Sequence, residues 1–230
     1  MDHARAVRCA TVGGPTFDRV DERTALATRR GENYGGRSRQ ERAADRRDRI
    51  LASALHLFGT QDYDDVTVAD VCAGARVSKR YFYEHFEDRE ALVRALHRQQ
   101  NEWLLAGVSA AVPESPVSPD EMLRPAVHQL LTMLRANPER AQVIYINAPR
   151  METRRRGVLR EDAQFLAAML RRLGGHPTDE LRYERMLLAL VAGLSEVIID
   201  WLSHGMTGEI DALADHLTDF CGAVLGRLNN

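Results

Sequence analysis

The sequence predicts an all-α chain, on three observations. Apolar residues recur at steps of three and four rather than two, the recurrences break at Gly and Pro, and Ser, Thr, Asp or Asn stands where most of them restart. No segment alternates strictly between apolar and polar, as a half-buried strand would. With 230 residues, 44% of them hydrophobic, the chain can build one large core or two modest ones.

Residues 1–40 show no sustained apolar period and end in a Gly- and Arg-rich stretch, Arg29 to Arg39. This reads as a flexible arm, either solvated or lying in a DNA minor groove. Helix begins near Arg42, where Ile50, Leu51, Ala54, Leu55, Leu57 and Phe58 share a side, and Gly59 ends it. Thr67-Val68-Ala69-Asp70 is a cap with an acid three residues on, opening a short helix over Val68, Val71, Cys72 and Ala75. A third helix opens at Ser78 and runs through Phe86. A fourth opens at Asp88 and extends to about Ala111, before the proline-rich 113–116 segment. Two short helices joined by a tight turn and leaning on a longer one form a helix-turn-helix unit.

Beyond it, Ser118-Pro119-Asp120-Glu121 and Asn137-Pro138-Glu139 restart helices, Ala148-Pro149 interrupts, and a helix from about Met151 to Leu173 follows. From Thr178 to His204 apolar residues surround most of the cylinder, which requires cover on more than one side. The last helix carries Ile210, Leu213, Leu217, Phe220, Val224 and Leu228 at bundle-seam spacing. Pairing these two helices with a second copy makes a two-fold four-helix interface through Leu194, Ile198, Trp201, Leu213, Leu217, Phe220 and Val224. The alternative is that both simply close a monomer core.

Composition excludes several classes. Cys9, Cys72 and Cys221 are odd in number and widely spaced, so neither a disulfide framework nor a zinc site is expected. The eight histidines form no metal-binding cluster, and no metal or cofactor is expected. No nucleophile-base constellation, phosphate-cradling glycine loop or carboxylate pair points to an enzyme. No uninterrupted apolar run approaches the roughly 20 residues of a membrane span, and no secretory leader is seen, so the expected location is the cytoplasm, without a membrane partner. Net charge is −2, yet the first hundred residues carry 18 Lys+Arg against 16 Asp+Glu and the remainder 13 against 17. A cationic contact surface must therefore be local and early.

The stretch from Thr67 to Leu92, which contains Ala73-Gly74-Ala75-Arg76-Val77-Ser78 and Tyr83-Glu84-His85-Phe86, resembles the TetR family signature. With the first helix the resemblance covers about residues 42–95. It departs at Arg76, where the turn usually has a small residue. The resemblance implies an N-terminal helix-turn-helix DNA-binding domain over 41–88 and a C-terminal helical ligand-binding and dimerisation domain over 89–230. It also implies a homodimer on a palindromic operator of double-stranded DNA, most simply a repressor released by a small-molecule effector, with recognition helices about 34 Å apart. A regulator with the same motif and no small ligand is the alternative.

Residue chemistry agrees with the resemblance. Phe82 and Phe86, four apart, belong in the core, leaving Lys79, Arg80, Tyr81 and Glu84 to face DNA. Arg or Lys donates to guanine, Glu accepts from cytosine, and Tyr81 touches a thymine methyl or a phosphate. By resemblance, the Thr67 hydroxyl, Tyr83 and Arg89 should meet phosphates, with Ser78 at the start of the recognition helix. His85 reads either as a phosphate neighbour or as a packed ring. Arg46, Arg47 and Arg49 fit backbone contacts and a solvated helix end equally, and Arg154-Arg155-Arg156 fits a solvated face or an anion site. Trp103, His128, Met133, Tyr145, Phe165, Met169 and Met186 are candidates for an effector pocket, each with plain core packing as its alternative.

Overall fold

The computed structural model describes residues 38–147, 152–174, 177 and 179–227. The arm expected over 1–40 lies outside them up to residue 37, as do Cys9, Met151 and the side chains of Arg154 and Arg155. By compactness the chain divides into Met1–Asp45 and Arg46–Asn230. Helix α1, Arg39–Thr60, opens in the first unit. There the Ser38 amide donates to Glu41 Oε2 at 2.6 Å, and the Glu41 amide donates to Ser38 Oγ at 3.1 Å. This reciprocal pair satisfies two amides that a helix start leaves orphaned.

The described residues are helical, with no strand among them. In the second unit the later helices are α2 (Val68–Ala75), α3 (Lys79–Tyr83), α4 (Arg89–Ala111), α5 (Pro119–Ala136) and α6 (Pro138–Ala141), the last continuing as a π-helical turn over Gln142–Asn147. Then come α7 (Glu152–Leu170), α8 (Glu180–Ser203) and α9 (Ile210–Gly226). The expected starts are visible as caps: Thr67, Ser78, Asp88 and Ser118 each accept a backbone amide from the first turn of α2, α3, α4 and α5. Helix α3 is shorter than its sequence suggests, because Glu84, His85 and Phe86 leave it as a turn.

Three apolar clusters hold this unit. One gathers Phe58, Val71, Phe82, Leu92 and Leu96 from the first four helices, together with Phe86 of the turn after α3 and Val143 of the π turn. The second lies among α4, α5, α7, α8 and α9, around Met122, Leu187, Leu190 and Cys221. The third centres on Leu104, Leu131, Leu134, Ile198 and Trp201. Helix α4 supplies Leu92 and Leu96 to the first, Val108 to the second and Leu104 to the third. Its 23 residues make one rod of about 34 Å through all three.

Helix α8 combines length with apolar composition, although Glu196 and Asp200 interrupt its apolar run. Over 18 residues its mean hydropathy reaches 1.8, long and apolar enough for a membrane, and only 28% of that window is buried within the chain.

Candidate functional site

The helix-turn-helix is built from short-range chemistry. Thr67 and Asp70 form a capping box at α2: the Asp70 amide donates to Thr67 Oγ1 at 3.2 Å, and the Thr67 amide donates to Asp70 Oδ2 at 2.9 Å. The Thr67 hydroxyl also donates to Asp70 Oδ2 at 2.5 Å. These bonds hold the Asp70 carboxyl below its ordinary pKa. After α2, Arg76 sits in the left-handed region at φ 53°, ψ 47°. A non-glycine residue there costs about 1 kcal/mol. The turn is closed by the Val77 amide donating to the Cys72 carbonyl at 3.0 Å, and by Arg49, which donates from α1 to the Ala75 carbonyl at 3.1 Å. The departure at Arg76 therefore leaves the turn closed, with the strain offset by hydrogen bonds to the end of α2.

Helix α3 divides cleanly. Phe82 is fully buried, with the Phe86 ring 5.7 Å from it. Lys79, Arg80, Tyr81, Tyr83 and Glu84 are exposed, as are Ser78 and Thr67. Arg80 and Glu84 pair at 3.4 Å across one helical turn, a contact worth little at such exposure. Arg46 of α1 lies 4.5 Å over the Tyr81 ring, and Arg47 lies 5.4 Å over Phe86. His85 is half-buried beside Phe86. Burial first, then the Arg46 cation, lowers its pKa, keeping the ring neutral at pH 7.

Arg89 stands apart from this exposed set. Its Nη1 donates to the Tyr63 carbonyl at 3.2 Å and the Val66 carbonyl at 2.8 Å, and the guanidinium lies 4.2 Å over the Tyr63 ring. A side chain tied this way braces the loop before α2, and a phosphate would have to compete with those bonds.

A cavity lies between α4, α5, the π turn, α7 and α8. Tyr145, Phe165 and Met169, three of the seven expected pocket residues, line it. The other four do not. Trp103 is a shelf for Arg140, whose guanidinium lies 4.3 Å over the ring. His128 is on the surface, 3.5 Å from Asp211 of α9. Met133 packs over Gly107, and Met186 is half-buried elsewhere on α8. Trp103, His128 and Met133 sit on helix faces turned to these other neighbours. The sequence reading missed the polar members of the lining, Asn101, Asp162 and Ser195. Asn101 Nδ2 donates to Asp162 Oδ1 at 3.1 Å. Burial, the largest cause, raises the Asp162 carboxyl to about 6 against the Asn101 bond. Burial also pushes the Tyr145 phenol and the Cys221 thiol up, so both stay neutral at pH 7.

The π turn joins this cavity to the helix-turn-helix. Asn147, two residues from Tyr145, is fully buried. Its Nδ2 donates to the Phe58 carbonyl at 2.5 Å and the Gln61 carbonyl at 2.9 Å, while Oδ1 accepts the Tyr63 amide at 3.0 Å. One side chain thus closes the end of α1. Next to it Gly59 meets α6 so closely that a Cβ would lie 2.8 Å from Glu139 Cα and 2.9 Å from its carbonyl oxygen.

The residues expected at a dimer surface divide between inward and outward positions. Ile198, Trp201 and Leu217 belong to the chain's own third cluster, and Leu194 and Ile198 line the cavity. Leu213 and Val224 are half-buried against the same cores. An apolar helix declares that it needs cover but not by whom, and here the chain itself covers Ile198, Trp201 and Leu217. Phe220, 43% exposed, remains outward, with Val197 at 41%; the Phe220 ring passes over Gly193.

Residues 50–96 match the family described as bacterial regulatory proteins, tetR family. The HTH-type transcriptional regulator EthR of Mycolicibacterium smegmatis is 28% identical over 108 residues, 47% of this chain and 50% of that protein, so the match spans about half the relative's length. An uncharacterized HTH-type transcriptional regulator of Mycobacterium tuberculosis is 28% identical over 169 residues, covering 74% of this chain and 81% of that one. Among solved structures, the fatty acid degradation regulator FadR from Bacillus halodurans superposes with a TM-score of 0.63 at 18% identity, covering 75% of this chain and 92% of its own. A tetR-family regulator from Streptomyces coelicolor gives a TM-score of 0.64 at 16% identity, covering 80% and 81%. At these identities the structural likeness concerns the fold.

Proposed function

We propose that this chain is a transcription regulator of the tetR family of bacterial regulatory proteins, whose family pattern residues 50–96 match, and that it works as a cytoplasmic homodimer whose grip on a palindromic operator is loosened by a small effector in the cavity. The observation that carries the reading is the two-sidedness of α3. Its Phe82 face is sealed in the core, while Lys79, Arg80, Tyr81 and Glu84 are exposed, with Arg46 over the Tyr81 ring. Such a surface suits a major groove: Arg80 and Lys79 donate to guanine edges, Glu84 accepts from cytosine, and Ser78 and Tyr83 meet phosphates. Thr67 joins them only by turning its hydroxyl from Asp70, and neutral His85 and carbonyl-bound Arg89 serve as braces.

A second copy is proposed to cover the outward face of α8 and α9, around Val197 and Phe220. An interface explains an apolar helix left largely uncovered by its own chain. A membrane would instead have to accept Glu196 and Asp200 on the same helix.

The π turn gives the effector a route to the DNA. Tyr145 touches the cavity and Asn147 holds α1, so a ligand that moves the turn biases the position of the helix-turn-helix. It must favour one state by roughly 1–3 kcal/mol to matter. The test is selection of genomic fragments by the purified protein, followed by effector screening for release of the selected duplex. Recovery of no enriched sequence defeats the reading.

A further inference from the structure

The cavity has one polar corner, and its charge is unbalanced. Asn101, Tyr145, Asp162 and Ser195 face the otherwise apolar interior. Tyr145, Asp162 and Ser195 also line a small second cavity that carries Glu196, so the corner forms the wall between the two. Asp162 accepts from Asn101, but among the described residues no arginine, lysine or histidine is paired with it. The groups about it are Asn101 from α4, Tyr145 from the π turn, Ser195 and Glu196 from α8, and Glu161 on its own helix. All are neutral or anionic. A buried carboxylate normally has a cationic partner or a full set of donors, because removing it from water is expensive. Here, among the described residues, one amide is the only bonded partner.

We infer that the missing partner arrives with the ligand: the cavity takes an amphiphile with a protonated amine seated against Asp162 and an apolar body lying among residues such as Leu104, Val108, Phe165 and Met169. This rests on the reading of the cavity as the effector site. A primary ammonium carries three N–H donors. The Asp162 carboxylate, the Asn101 carbonyl and the Tyr145 and Ser195 hydroxyls offer acceptors at that one corner. An alcohol can be bonded there but leaves the charge uncompensated, and a fatty carboxylate would set two like charges together in a largely apolar cavity. Size limits the body. The cavity leaves about 110 Å³ for the centres of water molecules, and about 10–15 Å³ is enough for one. A chain of roughly eight to ten non-hydrogen atoms therefore enters without rearrangement.

Three eight-carbon probes that differ only in the head group test this by titration calorimetry on the full chain at pH 7.5: octylamine, octan-1-ol and octanoate. Octylamine should bind one to one and about tenfold tighter than octanol, with octanoate weakest. Asp162→Asn, which keeps the shape and the Asn101 bond, should remove the preference for the amine and leave octanol within about twofold. The wild-type ranking decides the matter even if the variant folds poorly. Equal or tighter binding of octanol or octanoate, or no binding by any of the three, overturns the proposal. Operator affinity is read separately by anisotropy. Octylamine binding without DNA release defeats the effector reading while leaving the ligand class standing, and loss of the ranking with intact DNA binding does the reverse.

Discussion

Replacing Asp162 with Asn should make the protein more stable, by an amount that depends on pH. The carboxyl moves from its ordinary 3.8 to about 6 in the folded chain, chiefly through burial. At 1.36 kcal/mol per pH unit, this amounts to about 3 kcal/mol. The sign follows from the direction. Above pH 6 the carboxylate is ionised in both states, and the folded state bears the full burial cost. As pH falls through 6 the folded chain takes up the proton first and the cost fades; below 3.8 both states are protonated and it is gone. The amide of the Asp162→Asn variant carries no such cost at any pH, and its carbonyl still accepts from Asn101. Thermal unfolding of variant and wild type at pH 8, 6 and 4.5 should therefore show a gain of about 2–3 kcal/mol at pH 8, shrinking to about 1 kcal/mol at pH 4.5. For a chain of this length each kcal/mol moves Tm by about 2–4 °C. A variant less stable than wild type at pH 8, or a gain unchanged across the range, refutes the reasoning. A site held ready for a charged ligand at the expense of stability is a familiar trade.

The other expectations concern coupling, DNA contact and assembly. Asn147→Leu keeps the volume but abandons the Phe58 and Gln61 carbonyls and the Tyr63 amide. It should lower stability by about 2–4 kcal/mol in urea unfolding, and an unchanged midpoint would remove the clamp from the account. Arg80→Ala should relax preference at one operator position, costing about 1–3 kcal/mol in binding, as measured by anisotropy on single-site operator variants. Arg89→Ala should instead lower stability by about 1–2 kcal/mol through its lost carbonyl bonds and leave the salt slope of DNA binding as it was; a flatter slope would mean that it touches phosphate after all. Phe220→Asp should sediment as a monomer, and a persistent dimer would locate the interface away from α8 and α9.

Much of this fold can be read locally in the sequence. Caps at Thr67, Ser78, Asp88 and Ser118 need only neighbouring residues, so their positions could be written down from the chain alone. Phe82 and Phe86 both face inward because the Phe86 amide, in the turn after α3, still bonds the Phe82 carbonyl one turn back. What the sequence leaves open depends on distant segments. Arg89 finds the carbonyls of Tyr63 and Val66 only because the preceding loop folds back over α4. The partners of Asn147 lie 84 to 89 residues away, and nothing in Gln142–Asn147 announces a π turn. Ile198 and Trp201 sit on a helix that is apolar nearly all round, where pattern alone cannot assign each face to its own chain or to a second copy.

One missed signal was present. Asp162 precedes Phe165, Leu166 and Met169 by three, four and seven residues, and Asn101 stands in the same relation to Leu104, Leu105 and Val108. Each is a polar residue on an apolar helix face, and the structure brings the two into contact inside the cavity. Pocket candidates chosen for aromatic or sulfur character alone pass over such positions.

The central claim, a sequence-reading surface on α3 presented by a pair of chains, is tested most directly by titrating labelled duplex with protein at about 150 mM salt. A selected operator should bind at least about a thousandfold tighter than a scrambled duplex of the same length, with two chains on each duplex. Equal affinity for the two duplexes, or a single chain at saturation, would contradict it.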